Sequence, residues 1–337
     1  AISTFDAQGN ERGLAKGWSL LGLFHMMKGR FATAGEAWGN AAAHAAAAGD
    51  RREELEHLAW VPIVEWCGPG TVEEGIRRCQ EVLERAEGDR KAMSVALSTW
   101  GTFEAMRGQF DEARKVQDRA RSILREVALP GWMGALTQNS GWAEILAGDP
   151  AAAEQALRGG VDTLRGIGEL SWMSSAAAIL AEALYEQGRL EQAEEFVRVS
   201  EESAGSEDIY SQSLLRSVRA KILARQGRAS EAEALARQAV TIAEPTDFLF
   251  LQAWALISLG EVLERAGKGE EGEVVLADAV AICDRKGFTV GVEKDAARAS
   301  LTDRTESEPV VGPDRVFDRC HDLVHRFVTA AGRQGWF

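Results

Sequence analysis

The chain has 337 residues, 45% hydrophobic and 27% charged, enough apolar material for a substantial core. Its net charge of −14 gives a surface that repels phosphates, which argues against direct binding of nucleic acid. No apolar run is long enough to span a membrane, and Cys67, Cys79, Cys283 and Cys320 form no CxxC pair, the pattern expected of reduced thiols in a cytoplasmic protein.

In chain order, Ala1-Ile-Ser-Thr-Phe-Asp-Ala-Gln-Gly9 reads as the last turns of a helix, much like Ala279-Val-Ala-Ile-Cys-Asp-Arg-Lys-Gly287 far downstream. The sequence is therefore expected to begin partway through a repeat of a longer parent. A Gly landmark then recurs in Gly29-Arg-Phe-Ala-Thr-Ala34, Gly70-Thr-Val-Glu-Glu-Gly75, Gly108-Gln-Phe-Asp-Glu-Ala113, Gly148-Asp-Pro-Ala-Ala-Ala153, Gly188-Arg-Leu-Glu-Gln-Ala193, Gly227-Arg-Ala-Ser-Glu-Ala232 and Gly267-Lys-Gly-Glu-Glu-Gly272. From Gly108 onward the spacing is 39 or 40 residues. Units of this length stack their apolar faces into one continuous core.

Each unit reads as a helix hairpin. In one of them, Val95, Leu97, Trp100, Phe103 and Met106 suit a first helix that Gly108 breaks. Phe110, Ala113, Val116, Ala120, Ile123 and Leu124 give the stripe of a second, which Pro130 is expected to stop. Seven positions before the Gly stands Gly22, Gly101, Gly141, Ala181, Ala220 or Gly260, and five after it Ala34, Ala113, Ala153, Ala193, Ala232 or Gly272. Small side chains at these points let paired helices approach closely. Asp149-Pro150, Thr71 with Glu74, and Ser230 with Glu233 are helix-start signals. In the irregular second unit, Pro62 predicts a kink between Trp60 and Trp66, and Gly68-Pro69-Gly70 lengthens the turn. Beyond the array (residues 1–301), residues 302–313 form a polar linker. Residues 314–337 follow as an amphipathic helix and tail, with Val316, Phe317, Cys320, Leu323, Val324, Phe327 and Val328 on one face. That helix is expected to close the last repeat; the alternative is a tail, ending in Trp336-Phe337, that fills the array's own groove or docks on a partner.

The small residues around each Gly, with Phe31, Phe110 and Leu190 two positions after it and Trp18 near the start of a first helix, resemble tetratricopeptide repeats over residues 10–301. Ala229 departs from that pattern, and the period is near 40 residues where the family has 34. The resemblance implies an all-α, right-handed superhelical solenoid of about seven hairpins plus the C-terminal amphipathic helix. A narrower likeness, carried by Glu244-Pro-Thr-Asp-Phe-Leu-Phe-Leu-Gln-Ala-Trp-Ala-Leu, Gly260-Glu-Val-Leu-Glu-Arg-Ala-Gly267 and Ala281-Ile-Cys-Asp-Arg-Lys-Gly287, is to repeat regions of bacterial class III nucleotidyl cyclase–ATPase proteins; LuxR-type signalling ATPases carry similar lengthened units.

No GxxxxGK[ST] loop, HExxH or GxSxG occurs, so no enzyme and no cofactor are expected. His321 and His325 are four apart beside Asp318 and Asp322, a spacing that can seat a metal but more often marks a solvated helix face; no metal is expected. By resemblance, the first helices line the concave surface and place Ser98, Thr102, Gln138, Trp142, Glu182, Tyr185, Ser217, Lys221, Trp254 and Glu261 there as a candidate groove, with a merely solvated inner surface as the plainer alternative. The Lys/Asn set that clamps a terminal carboxylate in some tetratricopeptide proteins is not found at these positions. The expected function is protein–protein interaction or ligand sensing within a larger signalling protein of cyclase–ATPase type, with a LuxR-type regulator and a free-standing adaptor as alternatives. Expected partners are a protein or peptide and, as a second class, a small-molecule effector, with neither nucleic acid nor membrane.

Overall fold

The computed structural model describes residues 2–290, and among them there are sixteen helices and no strand. The expected linker at 302–313, the helix from 314 and the His321/His325 pair lie outside the described residues. The short α1 (Ile2–Ala7) packs on α2 (Glu11–Met27), where the Phe5 ring leaves no room for a Cβ on Gly13. Helix α2 pairs with α3 (Phe31–Ala47). The second unit has a divided first helix, α4 (Arg51–Leu58) and α5 (Val61–Cys67), followed by α6 (Val72–Arg85). Five regular hairpins complete the array. They are α7 (Arg90–Met106) with α8 (Phe110–Val127), α9 (Pro130–Leu146) with α10 (Pro150–Ile167), and α11 (Leu170–Glu186) with α12 (Leu190–Ser203). The last two are α13 (Ile209–Arg225) with α14 (Ala229–Ala243) and α15 (Leu249–Arg265) with α16 (Gly269–Lys286). Successive hairpins stack into a helical solenoid.

The Gly landmark is a turn requirement. Gly29, Gly108, Gly148, Gly188, Gly227 and Gly267 all have φ between 65° and 81°, the left-handed region where a Cβ is strained. The small positions are close approaches. A Cβ on Gly101 would stand 2.9 Å from the Ala113 carbonyl oxygen and 2.5 Å from the Gln117 side chain. On Gly141 it would meet Leu157 at 2.6 Å, and on Gly260 Leu276 at 2.7 Å. Gly101→Ala is therefore expected to cost about 1–3 kcal/mol by overpacking against backbone that cannot rotate away, read as a lowered urea midpoint. A wild-type midpoint would show that the two helices separate freely there.

Three expectations are corrected by the local geometry. Pro62 does not kink a continuous helix: the chain breaks at Ala59–Trp60, and Pro62 sits in the first turn of α5, where its missing N–H leaves nothing unpaired. Trp60, at the break, stacks on Trp38 at 5.2 Å between centroids and meets Trp132 edge-on at 5.8 Å; Trp132 in turn packs on Trp172 at 4.9 Å. Pro130 opens α9 rather than only closing the helix before it. Ser230 is not a cap, because α14 already begins at Ala229. Asp149 and Thr71 do cap, accepting from the backbone N–H of Ala152 (3.0 Å) and Glu74 (3.2 Å). Asp50, Asp89 and Asp208 do the same for α4, α7 and α13.

Candidate functional site

The inner face of the solenoid is made by the first helices α7, α9, α11, α13 and α15, each packed on the next. Six positions before each turn Gly lie Thr102, Trp142, Glu182, Lys221 and Glu261, one from each of these helices. All five are buried, as are Ser98, Tyr185, Ser217 and Trp254; Gln138 is half-buried. Nine of the ten side chains thus belong to the interior and the tenth, Gln138, is half-buried, so together they line neither an open groove nor a solvated inner wall.

Glu182, Tyr185, Lys221, Trp254 and Glu261 come together as one cluster. The Lys221 ammonium donates to Glu182 Oε1, and the Tyr185 hydroxyl donates to Glu261 Oε1. Arg265 Nε donates to that same oxygen at 3.2 Å. The Lys221 ammonium lies 4.8 Å from the Tyr185 ring centroid and 5.6 Å from that of Trp254, and the Arg225 guanidinium covers Tyr185 at 3.9 Å. Burial disfavours the Lys221 charge, yet Glu182, Glu261 and Glu186 together hold its pKa above the usual lysine value. Burial pushes Glu186 up to about 8 although Lys221 opposes the shift. Glu182 Oε2 and Glu261 Oε2 are buried without a hydrogen-bond partner in the protein. Sequence reasoning did not single out Glu186, Arg225 or Arg265. The other predicted residues do not join this cluster: Asn139 Nδ2 donates to Ser98 Oγ at 3.0 Å, Thr102 Oγ1 to the Ser98 carbonyl at 3.3 Å, and Gln138 Nε2 to the Trp172 carbonyl at 3.4 Å, while Trp142 belongs to the aromatic core and Ser217 Oγ is buried without a hydrogen bond.

The inner face is covered because the solenoid meets itself. The Asp247 carboxylate, in the turn before α15, accepts from the backbone N–H of Phe31 at 2.6 Å and of Ala32 at 2.9 Å, so it caps α3 across 216 residues of sequence. The Asp247 N–H donates to the Gly29 carbonyl at 3.0 Å. At the other end of this contact, Lys286 Nζ donates to the carbonyls of Glu65 (3.0 Å) and Gly68 (2.6 Å). Burial lowers the Lys286 pKa to about 8. An aromatic core fills the space between. Phe248 packs edge-on against Phe31 (5.1 Å) and Trp66 (5.2 Å), Phe250 against Trp142 (4.9 Å), and Trp142 against Trp254 (4.7 Å). Trp142 Nε1 donates to the Tyr210 hydroxyl at 2.7 Å.

Two features remain at the surface. A cleft of about 420 Å³ opens in the second unit, between α3, α5 and α6. Gly35 and Gly39 of α3 leave its floor bare, and Val61, Val64 and Pro69 line it with Phe31. Glu36, Glu65, Glu74 and Glu81 face it with Arg78 and Arg85; Arg78 engages Glu65 (3.7 Å) and Glu81 (3.0 Å), and the adjacent Arg77 engages Glu74 (3.6 Å) and Glu81 (2.6 Å). Arg85 is engaged by Glu54 at 2.8 Å, and burial raises the pKa of Glu65. The second feature is a stripe on α2, where Leu20, Leu23, Phe24 and Met27 are exposed at helical spacing.

The Tetratricopeptide repeat family matches residues 174–198 and 213–238, which hold most of α11–α14 and the charged cluster's Glu182, Tyr185 and Lys221. The chain carries a tetratricopeptide-like repeat region. No curated protein matches it. Among solved structures, that of BtubC (BKLC) from P. vanneervenii aligns at 13% identity and a TM-score of 0.45, covering 72% of this chain and 96% of that one. A tetratricopeptide repeat protein from Parabacteroides merdae ATCC 43184 aligns at 15% identity and a TM-score of 0.44, covering 86% and 99%. Likenesses this distant support no functional inference.

Proposed function

We propose that this chain is a protein-interaction repeat region without catalytic activity of its own, and that the inner-face set from Ser98 to Glu261 is a peptide-binding surface covered in the closed form. The observation that carries the reading is the column Glu182–Lys221–Glu261, three charges at one repeat position, all buried, with a carboxylate oxygen of each Glu left without a partner. A buried ion pair stabilises a fold little compared with apolar residues of the same size, so folding alone gives weak reason for this column. A partner carrying a cationic or amide group supplies the missing donors when the closing contacts release. Occupancy then biases the solenoid between two forms, to the extent that the partner binds one better than the other. A small-molecule effector with the same donors acts by the same rule.

The narrower reading places this region in a cytoplasmic signalling protein of cyclase–ATPase type, supported by the likeness over 244–267 and 281–287. The test of the interaction function is peptide selection from a displayed library on the full chain and on Asp247→Ala. The opened variant is expected to yield a consensus with a basic or amide side chain, binding at least tenfold more weakly to Asp247→Ala/Trp254→Phe. Peptides indifferent to Trp254, or no consensus from either protein, would overturn the assignment of the surface.

A further inference from the structure

We infer that the cleft of the second unit is the docking site for this chain's own C-terminal stretch, residues 323–337. Three observations converge on it. The first is where the described chain leaves the fold. Lys286, the last residue of α16, is bonded through Nζ to the carbonyls of Glu65 and Gly68, both of which line the cleft. Gly287 lies against Val72 and Glu73 at the start of α6, and the N–H groups of Thr289 and Val290 donate to the Met106 carbonyl at 3.0 and 3.1 Å. The end of α16 therefore lies beside the Gly68-Pro69-Gly70 loop that forms one wall, and the last described residues run from there to the end of α7.

The second observation is charge. Of the cleft's four carboxylates, Glu65, Glu74 and Glu81 are engaged by Arg77 and Arg78, and Glu36 is exposed and outside those pairs. The stretch Leu323-Val-His-Arg-Phe-Val-Thr-Ala-Ala-Gly-Arg-Gln-Gly-Trp-Phe337 has Arg326, Arg333 and His325 and no Asp or Glu, in a chain whose net charge is −14. An arginine of this stretch thus has Glu36 to pair with at the rim of the cleft. The third is shape. The bare floor at Gly35 and Gly39, walled by Val61, Val64 and Phe31, takes apolar side chains, and the stretch offers Phe327, Trp336 and Phe337.

Reach and tethering favour the contact. Leu323 follows Val290 by 33 residues. A chain of that length reaches at most about 110 Å when fully extended, ample for a cleft beside the end of α16. Attachment within one chain makes the contact intramolecular and so independent of protein concentration. This inference is independent of the inner-face function: either can fail alone.

The test is Trp336→p-benzoylphenylalanine in the full chain, photolysed as a mixture of isotopically light and heavy protein and mapped by peptide mass. The expected result is light–light and heavy–heavy cross-links from 336 to the Gly35–Gly39 and Val61–Val64 segments. Gly39→Trp is expected to reduce them at least tenfold, since a Cβ there meets nothing within 4 Å and the added ring fills the cleft without disturbing α3. Glu36→Lys/Glu74→Lys, both on exposed residues, is expected to reduce them as well, and guards against a folding defect in the first variant. Cross-links to the Leu20–Met27 stripe, cross-links between light and heavy chains, no cross-links, or a yield unchanged in both cleft variants would each overturn the proposal.

Discussion

Lys221→Met is expected to destabilise the fold by about 3–5 kcal/mol, the range for removing one partner of a buried ion pair and leaving the other uncompensated. Three carboxylates surround the lost charge, Glu182, Glu186 and Glu261, and Arg225 and Arg265 remain on the Tyr185 and Glu261 side of the cluster. The cost falls on the carboxylates, so it depends on their protonation. Burial has already raised the Glu186 pKa to about 8, above its unfolded value. A group shifted in that direction contributes stability that is fully present below the unfolded pKa and lost as pH rises through the folded one. The deficit of Lys221→Met against wild type is therefore expected to be larger at pH 8 than at pH 5, as measured by urea midpoints. Glu182→Leu/Lys221→Met should recover most of the loss, because replacing a buried pair by apolar groups of similar size is near neutral. A single variant as stable as wild type, or a deficit that shrinks toward pH 8, would show that the cluster is not the closed, low-dielectric network described.

The repeat was legible because its determinants are local. A left-handed turn needs Gly at 108, 148 and 188, and a close crossing needs Gly101, Gly141 or Gly260; both demands leave marks at fixed spacing. What the sequence did not disclose is that the solenoid meets itself. Asp247 caps α3 across more than two hundred residues, and Lys286 reaches the end of α5 over a similar separation. Neither residue has a neighbour in sequence that hints at its partner. One signal was present and unread. Every residue of α11 from Met173 to Tyr185 is buried, and its Ala176-Ala-Ala-Ile-Leu-Ala run has no polar face. A helix apolar all round is an interior helix, which is inconsistent with one side lining an open groove. Five of the projected inner-face positions, Glu182, Tyr185, Lys221, Trp254 and Glu261, meet in one cluster and the others do not; their burial is set by contacts beyond local reading.

Asp247→Ala is expected to cost about 2–3 kcal/mol and to loosen the closure of the solenoid. Its carboxylate satisfies two N–H groups in the first turn of α3, at 2.6 and 2.9 Å, and its charge lies at the positive end of that helix. Arg30, the residue at the cap position of α3 itself, makes no side-chain cap, so no local group takes over. Asp247→Asn keeps one acceptor oxygen and should lose roughly half as much. The amides of Phe31 and Ala32 are expected to exchange with deuterium faster in Asp247→Ala, and small-angle scattering should report a larger radius of gyration. Unchanged exchange at those two amides would show that the cap is dispensable, and unchanged size would show that the aromatic contacts of Phe248 with Phe31 and Trp66 hold the ends together alone. Asp247 and Lys286 act on different helices of the early repeats, α3 and α5, but on one closure. If the solenoid opens as a unit, Asp247→Ala/Lys286→Met will cost less than its two single changes combined, since the second contact is already lost once the first releases. If each contact acts only on its own helix end, the costs will add within about 0.5 kcal/mol, as they do for distant sites. The coupling between these two residues therefore measures whether closure is one event, which is what a partner must reverse to reach the inner face.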